Sequence, residues 1–233
     1  MSEQTIGQKL DGIALLADLT ADERAMIARQ CRWKRYEAQE QIIDRQSETM
    51  DVFFVAEGPV RVVNYSVTGR EITLDDIDSG GHFGELAAID SAPRSASVMA
   101  LTPCKLAVLS QERFLDLIRN HPQVALIVMR DLAGVVRNST ERIMDLSTLA
   151  ANNRVQADLL RLASNNMTDD ISASISPIPI HGDVASRVST TRETVARVMN
   201  DLARQGVVER KKDALLVNDV ERLREMVEEV RGE

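Results

Sequence analysis

The spacing of apolar positions changes character along the chain. Leu10, Ile13, Leu15 and Leu16 open it with short helical spacing, and Thr20 stands as an N-cap ahead of a helix over Ala21–Cys31. From about residue 33 to 110 the pattern becomes a series of short β-prone runs: Gln41–Asp44, Val52–Ala56, Val60–Tyr65, Glu71–Asp76, Ser97–Leu101 and Lys105–Leu109. Turn signals punctuate them at Glu57-Gly58, Thr68-Gly69, Ser79-Gly80-Gly81 and Thr102-Pro103. Short strands at such regular intervals predict a double-sheet roll or a barrel.

Helical spacing then returns. Ser110–Arg113 caps a helix that reaches Ile118, and His121-Pro122 divides it from the next. Residues 123–150 predict the longest helix, along which Ala125, Met129, Leu132, Val136, Ser139, Ile143, Leu146 and Ala150 recur at alternating steps of four and three. That is a heptad seam with one polar member, Ser139, and the spacing suits either a helix packed on its own domain or one paired with a second copy. Asn152–Ala163 predicts a further amphipathic helix, and Ser164–Pro179 an exposed polar connection.

Composition narrows the class. The 233 residues suffice for one large domain or two modest ones, and 44% hydrophobic with 27% charged residues is ordinary for a soluble globular protein. No apolar run reaches the length of a membrane span. The start Met-Ser-Glu-Gln-Thr-Ile lacks the basic and apolar regions of a signal peptide, so a cytoplasmic location is expected, without a membrane partner. Cys31 and Cys104 are unrelated by any metal or redox spacing and predict reduced, buried thiols. His82, His121 and His181 are scattered singly, which argues against a metal centre. The net charge of −8 hides an asymmetry. Residues 181–212 carry seven basic side chains (Arg187, Arg192, Arg197, Arg204, Arg210, Lys211, Lys212) against four acids (Asp183, Glu193, Asp201, Glu209). That +3 segment is free to face nucleic acid while the remainder, at −11, keeps the chain soluble.

Residues 83–98, Phe-Gly-Glu-Leu-Ala-Ala-Ile-Asp-Ser-Ala-Pro-Arg-Ser-Ala-Ser-Val, carry the most specific chemistry. A phosphodiester needs an Arg fork, a hydroxyl and backbone N–H groups at short range. Arg94 and Ser95 supply the first two, and Gly84 lets the backbone approach. Glu85 is useless to a phosphate but accepts well from a sugar hydroxyl. Phosphate and ribose within so short a reach suggest a cyclic nucleotide. The competing reading is a surface hairpin with an incidentally salt-bridged Arg.

The stretch F-G-E-L-A-x(6)-P-R-S-A-S-V resembles the phosphate-binding cassette of the catabolite activator/fumarate-nitrate regulator family of bacterial transcription factors. The resemblance implies that Glu85 holds the ribose 2′-hydroxyl, that Arg94 and Ser95 hold the cyclic phosphate, and that Gly84 and Leu86 contribute backbone. It also implies that residues 125–150 pair with a twofold mate. Ser139 of one subunit and Thr140 of the other would then reach the base. Hydroxyls both donate and accept, so cyclic AMP is the expected effector and cyclic GMP stays open. Haem-sensing and iron–sulfur members need axial ligands or a Cys cluster that this sequence lacks, so no metal, haem or cluster is expected. In the family an exposed loop near residues 164–179 can touch RNA polymerase, to which the residues themselves add nothing.

Residues 182–206 predict a short helix at about 183–188, a turn at Ser189-Thr190, and a second helix capped by Thr191 with the apolar stripe Val195, Val198, Met199 and Leu202. Arg192, Glu193 and Arg197 lie off that stripe near its N-terminal end. There a recognition helix meets base edges, Arg gripping guanine and Glu accepting from cytosine. Thr-Arg-Glu-Thr-Val-x-Arg resembles the family's recognition helix, with one departure: Ser189 stands where many such turns carry Gly. The alternative is an exposed helix held by a Glu193–Arg197 pair. After Gly206, Val207–Arg210 and Ala214–Val217 flank Lys211-Lys212-Asp213 as a hairpin suited to a wing, its lysines placed for phosphates. The tail Asp219–Glu233 reads as a charged, solvated helix.

The predicted fold is α+β. A cyclic-nucleotide-binding β-roll (double-sheet jelly roll) with flanking helices occupies residues 1–122, a dimerisation helix 123–150, and a winged helix-turn-helix 151–233. The corresponding function is a homodimeric regulator binding near-palindromic double-stranded DNA under control of a cyclic nucleotide. A ligand-independent regulator of the same fold is the alternative. A cupin-like enzyme would need clustered His and acid ligands in the strands, where His82 stands alone.

Overall fold

The computed structural model describes residues 9–231 and divides into two compact units, residues 1–134 and 135–233. The expectations placed on Met1–Ile6, and on Gly232 and Glu233 at the end of the tail helix, fall outside the described residues.

The first unit begins with a 3-10 turn at Ala14–Leu16 and helix α1 (Ala21–Gln30). Thr20 caps α1 through a capping box: its hydroxyl accepts from the Glu23 N–H, and the Glu23 carboxylate accepts from the Thr20 N–H at 2.7 Å. Eight strands follow: β1 (Arg32–Tyr36), β2 (Gln41–Ile43), β3 (Val52–Glu57), β4 (Val60–Tyr65), β5 (Glu71–Ile77), β6 (His82–Phe83), β7 (Ser97–Ala100) and β8 (Cys104–Leu109). They form two four-stranded antiparallel sheets, ordered β1-β8-β3-β6 and β2-β7-β4-β5. The run Val52-Phe-Phe-Val55 does not alternate with polar residues because both faces of its sheet are covered. Phe53 and Val55 join Ile43, Val60, Val98, Leu106 and Val108 in one core. Val52 and Phe54 join Leu109, Leu16, Phe114 and Val124 in another, beneath the helices.

Helix α2 (Glu85–Asp90) lies inside the predicted cassette, for which the sequence reading placed no helix. Helix α3 (Gln111–Asn120) ends at His121, and Pro122 starts α4 (Pro122–Thr148), a position where the missing N–H costs nothing. The division between the units falls within α4. No helix among the described residues is long and apolar enough to cross a membrane.

The second unit contains α5 (Ala151–Ser164), β9 (Ala173–Ile175), α6 (His181–Arg187), α7 (Arg192–Arg204), β10 (Val208–Arg210), β11 (Leu215–Val217) and α8 (Val220–Arg231). Two expectations are corrected here. Ser164–Pro179 is not all connection: Ala173–Ile175 pairs antiparallel with β11 and completes a three-stranded sheet ordered β10-β11-β9. Three residues are too short a run to show a period in sequence. The tail helix is not merely a solvated face. Val220, Leu223 and Val227 of α8 are buried, the first two in the core with Val155, Leu159, Val198 and Leu202.

Leu223→Ala tests that correction. With Leu223 fully buried, the cavity should cost about 2–5 kcal/mol, read from the urea midpoint of unfolding, whereas a solvated position would stay within about 0.5 kcal/mol.

Candidate functional site

Pairing of β6 with β3 sets Phe83 opposite Phe53, their rings stacked at 4.9 Å between centroids. The chain then turns through Gly84, whose φ of +90° is left-handed, into α2, and leaves α2 through Ser91 at φ +58°. Arg94 follows, its backbone N–H donating to the Ser47 carbonyl and its own carbonyl accepting from Gln46 N–H. The sequence brings Gly84, Glu85 and Arg94 together because α2 is a single short excursion between two strands.

The Arg94 side chain is only 4% exposed. Its Nη1 donates to the Gly84 carbonyl at 2.9 Å, Nη2 to the Asp51 carbonyl at 2.7 Å and Nε to Thr49 Oγ1 at 3.2 Å. The guanidinium also lies 5.8 Å from the Phe53 ring centroid. Burial pulls the group below its ordinary range, while the carboxylates of Asp51 and Glu85 favour the charged form. The Asp51 carboxylate itself bonds Arg32 at 2.6 Å. Arg94 is therefore satisfied in hydrogen bonds by carbonyls and a hydroxyl, and among the described residues no carboxylate bonds it. A cation in that condition attracts an anion, which disfavours the incidental salt-bridged Arg. Ser95, exposed, and Glu85, half-buried, flank it, and Leu86 is exposed on α2.

Three residues at this site escaped the sequence reading. Thr49 and Asp51 act through one hydroxyl and one carbonyl, and a carbonyl leaves no side-chain signature. Asn64 on β4 donates Nδ2 to the Ser95 carbonyl at 3.4 Å, and its Oδ1 is buried without a hydrogen-bond partner. An amide within the run Val60–Tyr65 was the available signal. For α2 it was Leu86-Ala-Ala-Ile89, four residues mostly of high helix propensity.

On α4, Ser139 and Thr140 are both exposed, and the Thr140 hydroxyl donates to the Val136 carbonyl at 2.9 Å. Their helix exposes Met129, Val136, Ile143 and Leu146, the latter three 65%, 63% and 46% accessible, while Leu132 packs against the first unit's core.

In the second unit Thr191 caps α7, its Oγ1 accepting from Thr194 N–H at 3.2 Å. Val195, Val198 and Leu202 point into the core, which leaves Arg192, Glu193 and Arg197 exposed. The Arg192 guanidinium lies against Gly182 of α6, where an added Cβ would stand 3.0 Å from its Nε. Glu193 and Arg197 do not pair. The Glu193 carboxyl is held below its usual range by its own backbone N–H, the Thr191 hydroxyl and the Arg192 charge, and Arg197 reaches Asn152 Oδ1 at 3.5 Å. The intrahelical pair offered as the alternative is thus not what holds α7. Lys211 and Lys212 are exposed in the β10–β11 turn, Lys211 paired with Glu209. One member of the basic count faces elsewhere: Arg187 forks onto the buried Asp158, with Nη2 to Oδ2 at 2.8 Å.

A β-roll with a buried, unneutralised Arg at a tight glycine turn, in one chain with a winged helix-turn-helix, defines the class: a ligand-responsive DNA-binding regulator. Residues 33–121 match the cyclic nucleotide-binding domain and residues 153–226 the Crp-like helix-turn-helix domain. The chain is 35% identical over 157 residues to the cyclic AMP receptor protein of Thermus thermophilus, covering 67% of this chain and 70% of the relative. It is 29% identical over 195 residues to the cAMP-activated global transcriptional regulator Vfr of Pseudomonas aeruginosa, covering 80% and 89%. Its fold is similar to that of a CooA mutant from Carboxydothermus hydrogenoformans, with TM-score 0.80 at 22% identity over 91% of this chain and 95% of that one. The chain belongs to the catabolite activator/fumarate-nitrate regulator family of transcription regulators.

Gly84→Ala should destabilise the first unit beyond the backbone strain alone. A Cβ there would meet Arg94 Nη1 and the Asp51 carbonyl, each at 2.8 Å, whereas at Gly69, also at positive φ, nothing lies within 4 Å. The left-handed backbone costs about 1–3 kcal/mol at either site, so urea unfolding should show Gly84→Ala losing more than Gly69→Ala. Equal losses would mean that Arg94 does not crowd the turn.

Proposed function

We propose that this chain is a cytoplasmic, homodimeric transcription regulator switched by cyclic AMP and reading a near-palindromic DNA site. Residues 1–122 take the effector, 123–150 pair with a second copy and 151–233 engage DNA. The observation that carries the reading is Arg94, a buried cation bonded to carbonyls and left without a bonded counter-charge beside the exposed Ser95. A cyclic phosphate supplies the missing negative charge, Ser95 and the backbone at Gly84 and Leu86 close around it, and Glu85 accepts from the ribose 2′-hydroxyl.

Thr140 suits adenine. Its proton is donated to Val136, so its oxygen offers lone pairs that accept from the adenine amino group. Ser139 of one protomer and Thr140 of the other then share the base. The exposed Met129, Val136, Ile143 and Leu146 support pairing along this helix, because an apolar stripe of that length is poorly left to water. The names of the relatives from Thermus thermophilus and Pseudomonas aeruginosa agree with cyclic AMP as the effector.

Arg94→Ala should lose about 2–5 kcal/mol of cyclic AMP affinity, more than tenfold, in calorimetric titration. Glu85→Ala should weaken cyclic AMP more than its 2′-deoxy analogue. Unchanged binding in the Arg94 variant overturns the effector site, and a wild-type protein that binds neither cyclic AMP nor cyclic GMP leaves the ligand-independent alternative.

At the DNA end, Arg192→Ala should cost about 1–3 kcal/mol on the best site and relax preference at one base pair. Lys211→Ala should weaken all duplexes alike and reduce the salt slope by about one unit. Selection from a randomised DNA pool with cyclic AMP present reads both. A wild-type motif from the Arg192 variant would remove α7 from the reader's role.

A further inference from the structure

The turn that delivers α7 is built on a residue that does not favour it. Ser189 has φ +52°, the left-handed region that glycine enters freely and a residue bearing a Cβ resists. Its neighbours close the turn only in part: Val188 ends α6 at φ −103°, and the Thr190 N–H donates to the Ala185 carbonyl at 3.0 Å. The carbonyls of Val188 and Ser189 are held from outside it.

Arg154, near the start of α5, is placed to do so. Its Nε donates to the Val188 carbonyl at 2.8 Å and its Nη2 to the Ser189 carbonyl at 3.1 Å. Its Nη1 donates to the Leu149 carbonyl, just beyond α4, at 2.8 Å. Arg142 of α4 adds a bond from Nη2 to the Arg187 carbonyl at 3.0 Å. Three successive carbonyls at the end of α6, groups that a helix C-terminus leaves without partners, are thus held by two guanidiniums. Neighbouring arginines balance buried carboxylates: Arg161 and Arg187 hold Asp158, and Arg161 and Arg231 hold Asp145. Arg154 instead spends its fork on backbone oxygens, a geometry that a planar guanidinium provides and an ammonium does not.

We propose that Arg154 is a positioning residue for DNA reading. By clamping the Val188 and Ser189 carbonyls it fixes the left-handed turn, and so sets the direction in which the first turn of α7, with Arg192 and Glu193, leaves α6. This rests on α7 being the DNA reader. Ser189 and Arg154 then form a compensating pair: the serine makes the clamp necessary, and a glycine at 189 would lessen the need for it.

The test uses the full chain with cyclic AMP at saturation. Affinity is measured for the selected site and for a scrambled duplex of equal length at one salt concentration, beside cyclic AMP affinity and the thermal midpoint. Arg154→Lys, which keeps the charge, should lose about tenfold or more on the selected site while scrambled-duplex binding changes less than about threefold. Ser189→Gly alone should stay near wild type, and Ser189→Gly in the Arg154→Lys background should recover most of the lost specificity. An Arg154→Lys ratio of specific to scrambled binding equal to wild type overturns the proposal. So do equal losses on both duplexes, the mark of a merely structural role, and failure of Ser189→Gly to rescue. Arg192→Ala run in parallel separates the failures. If it alters base preference while Arg154→Lys does not, only the positioning role falls; if neither alters it, the reader assignment falls as well.

Discussion

A guanidinium taken out of water must find acceptors for its planar set of donors, and in the first unit that requirement organises the turn around Arg94. Thr49 and Asp51 from one segment and Gly84 from another answer it, so one side chain ties the segment before β3 to the cassette. Gly84 then has no room for a Cβ, and Phe53, stacked on Phe83, closes the remaining side. Because two of the acceptors are carbonyls and the third a hydroxyl, the hydrogen-bonding need is met while the charge persists. A carboxylate in their place would have stabilised the cation and cancelled its use. The distinction between satisfying a donor and neutralising a charge is what supports the proposal that this turn recognises an anion and is not only structural.

The second unit separates the same two tasks among several arginines. Asp158 and Asp145, both buried, each hold two guanidiniums, and those pairs neutralise. Arg142 and Arg154 serve backbone oxygens around the helix-turn-helix. Of the basic residues counted in 181–212, those exposed and without a carboxylate partner among the described residues are Arg192 and Arg197 on α7 and Arg210 and Lys212 in the wing, with Arg204 moderated by Asp201 and Lys211 by Glu209. On the proposed reading, the surface open to DNA is therefore smaller than a count of basic residues implies, with Arg192 and Arg197 on α7 set for base edges and Arg210 and Lys212 for phosphates.

Much of this was legible in the sequence. The strand runs, the Thr20 and Thr191 caps and the long helix beginning near residue 122 rest on local chemistry, and local chemistry is written in adjacent residues. The cassette was readable because the roles proposed for Gly84, Glu85, Arg94 and Ser95 rest on their own side chains or their lack of one. What stayed hidden was nonlocal or carried by backbone. β9 is a strand only because β11 lies beside it. α8 shows many charges, and its three buried positions take their meaning from a core assembled elsewhere in the chain. The acceptors for Arg94 and Arg154 are mostly carbonyls, which every residue possesses. Ser189 lies between these cases: its departure from glycine was visible, but not whether the turn would change shape or be held in shape from outside.

The exposed face of α4 bears on how a small effector could influence DNA binding. Burying side chains such as Met129, Val136, Ile143 and Leu146 is worth about 1.5–3 kcal/mol each when complete. In the proposed dimer two such faces meet, and the helix register sets how much of each is covered. Ser139 interrupts the stripe with a hydroxyl that an apolar seam does not satisfy, and Thr140, next to it, has its proton committed to Val136. In the proposed complex, a nucleotide base supplying the complementary groups would remove that mismatch only in the register that brings both residues to it. An effector that contacts one register better than another shifts the population by its difference in affinity and by nothing else. On this reading the polar interruption is what makes the seam responsive, since a wholly apolar stripe would pair as well with the effector absent as with it bound.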